Sequence, residues 1–182
     1  MNLPNKLLIL IGLSLASIPF VRADDDTYVR LSAVGFIPSA GGSDYTTGAL
    51  VSLGETFDDR FGDPANQFEM EIGYAKWNYP GADLTAVPVL FTYRYQWNFG
   101  ERLGLAIGPS VGGSYLGVTA WNGAWIFSYG AGVQLNFKVS DNVAFTLGYR
   151  YLINSDATLF NVKATDLDMQ LVEVGLRIGW PY

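Results

Sequence analysis

"LGLAIGPSVGGSYLG", residues 103–117, divides cleanly by parity. Leu103, Leu105, Ile107, Val111 and Tyr115 fall on one side; Gly104, Ala106, Gly108, Ser110, Gly112 and Ser114 fall on the other. A period of two is the period of a β-strand. A strand face bathed in water is rich in Lys, Glu, Asp and Thr, and the second row has none of them. So small and plain a row fits the interior of a narrow barrel, where eight strands leave room only for side chains. The large residues must then point outward.

Seven further stretches read as strands. Residues 28–37 place Val29, Leu31, Ala33 and Ile37 opposite Arg30 and Ser32, and "PSAGGSD" ends the run. Residues 45–56 alternate most weakly. Residues 66–79 set Phe68, Met70, Ile72 and Tyr74 against Gln67, Glu69, Glu71 and Gly73. Residues 85–98 carry Val87, Val89, Phe91, Tyr93, Tyr95 and Trp97 in one stripe, with Pro88 a weak point for the ladder. Residues 124–138 and 143–153 repeat the pattern, with Trp125, Phe127 and Tyr129, then Phe145, Leu147 and Tyr149, on the large face. The last stretch is "LVEVGLRIGWPY", 171–182. The short gaps suit sequential hairpins and are too tight for βαβ crossovers. Each run has roughly the ~9–11 residues that cross a bilayer at a tilt. The reading is all-β: an eight-stranded antiparallel up-and-down transmembrane β-barrel.

The bulky face supports that sidedness. Tyr and Trp favour the zone where hydrocarbon meets headgroups, with aliphatic residues between. Turned inward, these rows would overfill a small barrel. The competing fold is a secreted lipocalin-like barrel with a greasy cavity, which needs a polar outer face that this chain lacks.

The N-terminus reads as an export signal. Lys6 precedes the apolar run Leu7 to Ala16, and Val21 and Ala23 give small residues at a cleavage site after Ala23. The domains are then a signal peptide, 1–23, and a barrel, 24–182. The whole chain has 11 basic and 17 acidic residues; the signal removes Lys6 and Arg22, leaving 9 − 17 = −8. So acidic a chain is a poor binder of nucleic acid. With no cysteine, no disulfide staples the fold; with no histidine, the usual acid–base group near neutral pH is missing.

Arg30, Glu69, Glu71, Arg94, Lys138, Arg150, Glu173 and Arg177 all fall on the small-residue parity. Charges in a narrow lumen must be paired or hydrated. Glu71 with Arg94 and Arg150 with Glu173 are the cross-strand pairs expected from their distances to the intervening turns. The cluster reads as a salt-bridge plug; a narrow ion path is the alternative. No Ser or Asp, such as Ser110, Ser128 and Asp141, has an evident activating base, so nucleophile chemistry lacks a partner. "GPSVGGS" and "GAGV" lack the lysine of a phosphate loop. The acidic run 24–26 and "DLD" at 166–168 read as a solvated start and a loop edge, with weak binding of a divalent cation as the alternative. No cofactor and no metal site is expected.

The pattern over 24–182 resembles the small outer-membrane β-barrel superfamily of Gram-negative-type bacteria, the opacity-protein-like and outer-membrane-protein-A-like barrels. Its most specific element is the closing strand. In that family this strand alternates apolar residues and ends on an aromatic read by the barrel assembly machinery. Here Glu173, Gly175, Ile178, Trp180 and Tyr182 look like that signal, with Pro181 a departure. The resemblance implies an outer-membrane location, periplasmic termini and four short outer loops at about 38–44, 80–84, 118–123 and 154–165. It implies contact with outer-membrane lipid and lipopolysaccharide, and a monomer. Trp121 in "TAWNG" is expected to anchor at the interface, or to contact a partner. Relatives that modify lipid A rely on a histidine, so the expected function is non-enzymatic: a structural or cell-surface role, with a narrow channel as the alternative.

Overall fold

The structure is a computed structural model that describes residues 26–38, 46–58, 65–79, 82–119, 122–159, 162–165 and 167–180. The expected signal 1–23, Trp121 and Tyr182 lie outside them, as do the side chains of Asp26 and Trp180.

Eight long strands form the wall: β1 (Asp26–Pro38), β2 (Thr46–Asp58), β3 (Ala65–Tyr79), β4 (Ala82–Phe99), β5 (Leu103–Thr119), β6 (Asn122–Ser140), β7 (Val143–Asn154) and β10 (Met169–Trp180). Neighbours in sequence pair antiparallel, and β1 closes the barrel on β10, from Thr27↔Trp180 to Pro38↔Met169. Closure removes every free edge. Two elements were not read from the sequence. β8 (Ala157–Leu159) and β9 (Val162–Ala164) make a small hairpin within the expected 154–165 loop. Ser155 N donates to Phe127 O at 2.9 Å, docking the start of that loop on β6.

The chain enters and leaves at one end of the barrel, where two tight turns also lie, at 100–102 and 141–142. Gly100 takes φ +69°, a left-handed conformation that glycine adopts without steric cost. This is the turn end; the opposite, loop end carries the β8–β9 hairpin. Pro88 interrupts the β3–β4 ladder without shifting it: Ile72↔Val89 is followed by Ala75↔Ala86. The register survives the missing N–H because the residues on both sides still pair.

Sidedness follows the sequence pattern. Leu103, Ile107 and Val111 are exposed, whereas Gly104, Ala106, Ser110 and Ser114 are buried. On β6 the outward row runs from Trp125 to Phe137, both exposed. Those twelve steps, at ~3.3 Å each and a tilt of ~40°, span about 30 Å along the axis. That matches the ~30 Å hydrocarbon thickness of a bilayer.

The lumen is layered. Toward the loop end it is an apolar core, with Phe36, Leu50, Leu90, Leu116, Leu152 and Leu171 essentially inaccessible. This corrects the expectation of small residues and ion pairs throughout. Ions occupy the middle layer, and carboxamides lie below them toward the turn end.

Close approaches depend on glycine. A Cβ on Gly54 would stand 2.5 Å from Cζ and 2.6 Å from the hydroxyl oxygen of Tyr28. Gly54→Val should displace that ring and cost about 1–3 kcal/mol in urea unfolding, the range for overpacking. An unchanged midpoint would show that the ring has room to move.

Candidate functional site

The middle layer is built from inward positions of β1, β3, β4, β7 and β10. Arg30 is its hub. Its Nη2 donates to Glu69 Oε2 at 2.9 Å and to Glu71 Oε2 at 3.0 Å, and its Nη1 donates to Glu173 Oε2 at 2.9 Å. Arg150 Nη2 reaches Glu71 Oε2 at 2.9 Å and Glu173 Oε1 at 3.1 Å. Arg94 donates to Glu69, and its Nη2 stands 3.8 Å from Glu71 Oε1. All six side chains are nearly or wholly buried. Three guanidiniums face three carboxylates, so the layer is neutral.

Hydroxyls complete it. Tyr28 donates to Glu69 Oε1 at 2.8 Å, Thr92 donates to Glu71, and Ser52 Oγ accepts from Arg30 Nη2 at 3.3 Å. These three partners were not singled out from the sequence. Their signal was parity: Tyr28 and Thr92 lie two residues from Arg30 and Arg94 on the same faces.

The expected pairings are partly redistributed. Arg150 and Glu173 do meet. Arg94 pairs chiefly with Glu69 rather than Glu71, because it lies opposite Gln67 in register while Glu71 lies opposite Leu90. Two of the eight charges named from sequence stand apart from the cluster. Lys138 is half-exposed at the turn end and pairs with Asp141 at 3.0 Å. Arg177 lies over the Tyr28 ring, 3.7 Å from its centroid, and donates to Thr56 Oγ1 at 2.7 Å.

The carboxylates of the cluster are saturated, while Arg30 Nε is buried without a hydrogen-bond partner among the described residues. Glu69, Glu71 and Glu173 each accept from at least two guanidiniums, leaving no carboxylate free to take a proton from a substrate. Among the described residues, no group of three or more acidic side chains is placed to hold a metal ion.

Carboxamides form the layer toward the turn end. Gln96 Oε1 accepts from Gln67 Nε2 and Asn136 Nδ2, each at 2.6 Å, and Gln134 Nε2 donates to Asn136 Oδ1 at 2.6 Å. Beyond them a cavity of about 330 Å³ opens at the turn end, lined by Thr56, Gln96, Asn98, Asn136, Lys138 and Arg177 among others. At the loop end, Asp168 has a structural use. Its Oδ1 accepts from Asn154 N at 3.1 Å and its Oδ2 from the Tyr151 hydroxyl at 2.9 Å. Asn154 Nδ2 also donates to Leu167 O at 2.7 Å, which seats Leu167 in the apolar layer.

The closing-strand residues divide by face. Glu173 belongs to the ion cluster. Gly175 is wedged between Ser32 and Thr146, whose hydroxyl oxygens would stand 2.5 and 2.6 Å from an added Cβ. Ile178 faces outward, and the Trp180 backbone pairs with Thr27.

No protein-family model and no curated protein matches the sequence. Solved structures do match the fold. Neisserial surface protein A superposes with a TM-score of 0.64 at 15% identity, covering 87% of this chain and 98% of that one. The outer membrane protein OprG from Pseudomonas aeruginosa gives 0.56 at 12% identity, covering 86% and 96%. Ail, the attachment invasion locus protein of Yersinia pestis, gives 0.51 at 12% identity, covering 86% and 97%. The chain therefore has the eight-stranded architecture of these small barrels.

Proposed function

We propose that residues 1–23 direct export and are removed after Ala23, and that 24–182 is a non-enzymatic barrel of the outer membrane with a structural or cell-surface role. The observation that carries this reading is the filled bore. A neutral layer of three arginines and three glutamates lies beneath a layer of buried leucines, so a permeating ion meets a fixed salt-bridge network and then hydrocarbon. The outward apolar band, about one bilayer tall, supports contact with lipid and lipopolysaccharide. The residues read by the barrel assembly machinery are Glu173, Gly175, Ile178, Trp180 and Tyr182. The turn end then faces the periplasm, and the protein acts as a monomer without nucleic acid or cofactor.

Two measurements test this. Membrane fractionation should recover the protein with outer membranes, migrating faster on gels when unheated than when boiled. Full solubility without detergent, with uptake of an apolar dye, would instead make it a secreted binder. In planar bilayers the refolded protein should be electrically silent. Steady unitary steps would overturn the sealed-bore reading and establish a channel.

A further inference from the structure

Among the eight inward charges, Arg177 stands apart. The six-member cluster is neutral by itself, and Lys138 is matched by Asp141 at the rim. Arg177 remains. It is partly buried, its two described partners are the neutral Thr56 hydroxyl and Tyr28 ring, and among the described residues it forms no salt bridge. A partly buried guanidinium with no counter-charge among the described residues is incompletely solvated, and an anion relieves that cost.

The place suits a ligand. Arg177 lines the turn-end cavity of about 330 Å³, together with Arg102, Lys138, Glu101 and Asp141. Among the described lining residues, those five charged side chains sum to +1. The two acids are exposed at the mouth, and Asp141 is already engaged by Lys138. The ring and the Thr56 hydrogen bond fix the guanidinium plane, so its rotamer entropy is largely spent before a ligand arrives.

We propose that this vestibule binds a small oxyanion, phosphate or carboxylate, through Arg177. Two oxygens of either group match the fork of the guanidinium, and the cavity volume admits a small solute. The site reaches no further into the barrel, because the carboxamide layer and the ion cluster close the bore above it. Binding here is therefore independent of conduction, and holds whether the bore is sealed or not.

The test uses the full mature chain refolded in a zwitterionic detergent. Inorganic phosphate and, separately, acetate are titrated against it at constant ionic strength set with sodium chloride. Saturable binding of at least one is expected, and the stronger of the two identifies which oxyanion the site prefers. Arg177→Gln should weaken it about tenfold or more, the scale of a charge-assisted hydrogen bond. Lys138→Gln should weaken it by less. Folding of each variant is checked by heat-modifiable gel migration. Should Arg177→Gln not fold, the Nε–H resonance of Arg177 in the unaltered protein gives the answer: it should move with the same midpoint as the bound signal. No saturable binding of either anion, full affinity in a folded Arg177→Gln variant, or a stationary Arg177 resonance would each overturn the proposal.

Discussion

Glu71→Gln should cost the folded barrel about 3–5 kcal/mol, the range for breaking a buried ion pair from one side. Glu71 is the most heavily engaged acid of the cluster. It accepts from Arg30 at 3.0 Å, from Arg150 at 2.9 Å and from Thr92, with Arg94 3.8 Å away. Glutamine keeps the volume and removes the charge, leaving three guanidiniums against two carboxylates in a space where none of them reaches water. Lys138→Gln is the matched control, because the Lys138–Asp141 pair is solvated, with Asp141 90% exposed. Its change should stay within about 0.5 kcal/mol. Urea titration of folding into lipid vesicles measures both. Adding Arg150→Met to Glu71→Gln restores neutrality, so the double variant should recover part of the loss, with a coupling of about 1 kcal/mol or more in the cycle. If Glu71→Gln costs no more than Lys138→Gln, the cluster does not hold the barrel together. Glu71→Gln should also remain silent in planar bilayers. The leucine layer is a second barrier, and removing a charge below it opens nothing above it.

How far the sequence carries toward this picture depends on where alternation survives. Along β5 it persists from Leu103 to Tyr115, and there sidedness and the small-residue lining of the lumen follow from parity. It fails on β1 near the loop end, where inward Val34 and Phe36 sit beside outward Ala33 and Ile37 and every residue from 33 to 37 is apolar or glycine. Such a run shows no period of two, because one face meets lipid while the other meets a dry core. The apolar layer was invisible for that reason. The ion cluster was legible as a set of inward charges, since a charge on that parity has few alternatives. Its pairing was not. Barrel shear places Glu69, two residues from Glu71, within reach of both Arg30 and Arg94, and counting back from a hairpin cannot supply that offset. Lys138 shows the opposite limit: it has the inward parity but lies where the strand reaches solvent, so parity stops implying burial. Asp168 carried no sequence signal beyond a loop edge, because its partners, Tyr151 and the Asn154 amide, come from the preceding strand.

Val174→Arg decides the environment of the outer wall. Val174 sits midway along β10, 57% exposed, between Ala33 on β1 and Leu147 on β7. Its exposure is to whatever surrounds the barrel. If that is hydrocarbon, an arginine here lies near the bilayer midplane and costs about 2–4 kcal/mol. The same substitution at Ile178, four residues nearer the turn end on the same face, lies close to the interface, where the cost falls to about 0–1 kcal/mol. The expected result is thus a gradient along one strand, measured by urea titration in vesicles. A barrel surrounded by water gives no gradient. There both variants are exposed-surface changes within about 0.5 kcal/mol of the parent, and both improve solubility. Sidedness within the barrel is the same in both cases, so this comparison isolates the solvent. Equal, near-zero costs at 174 and 178 would overturn the membrane reading while leaving the fold intact.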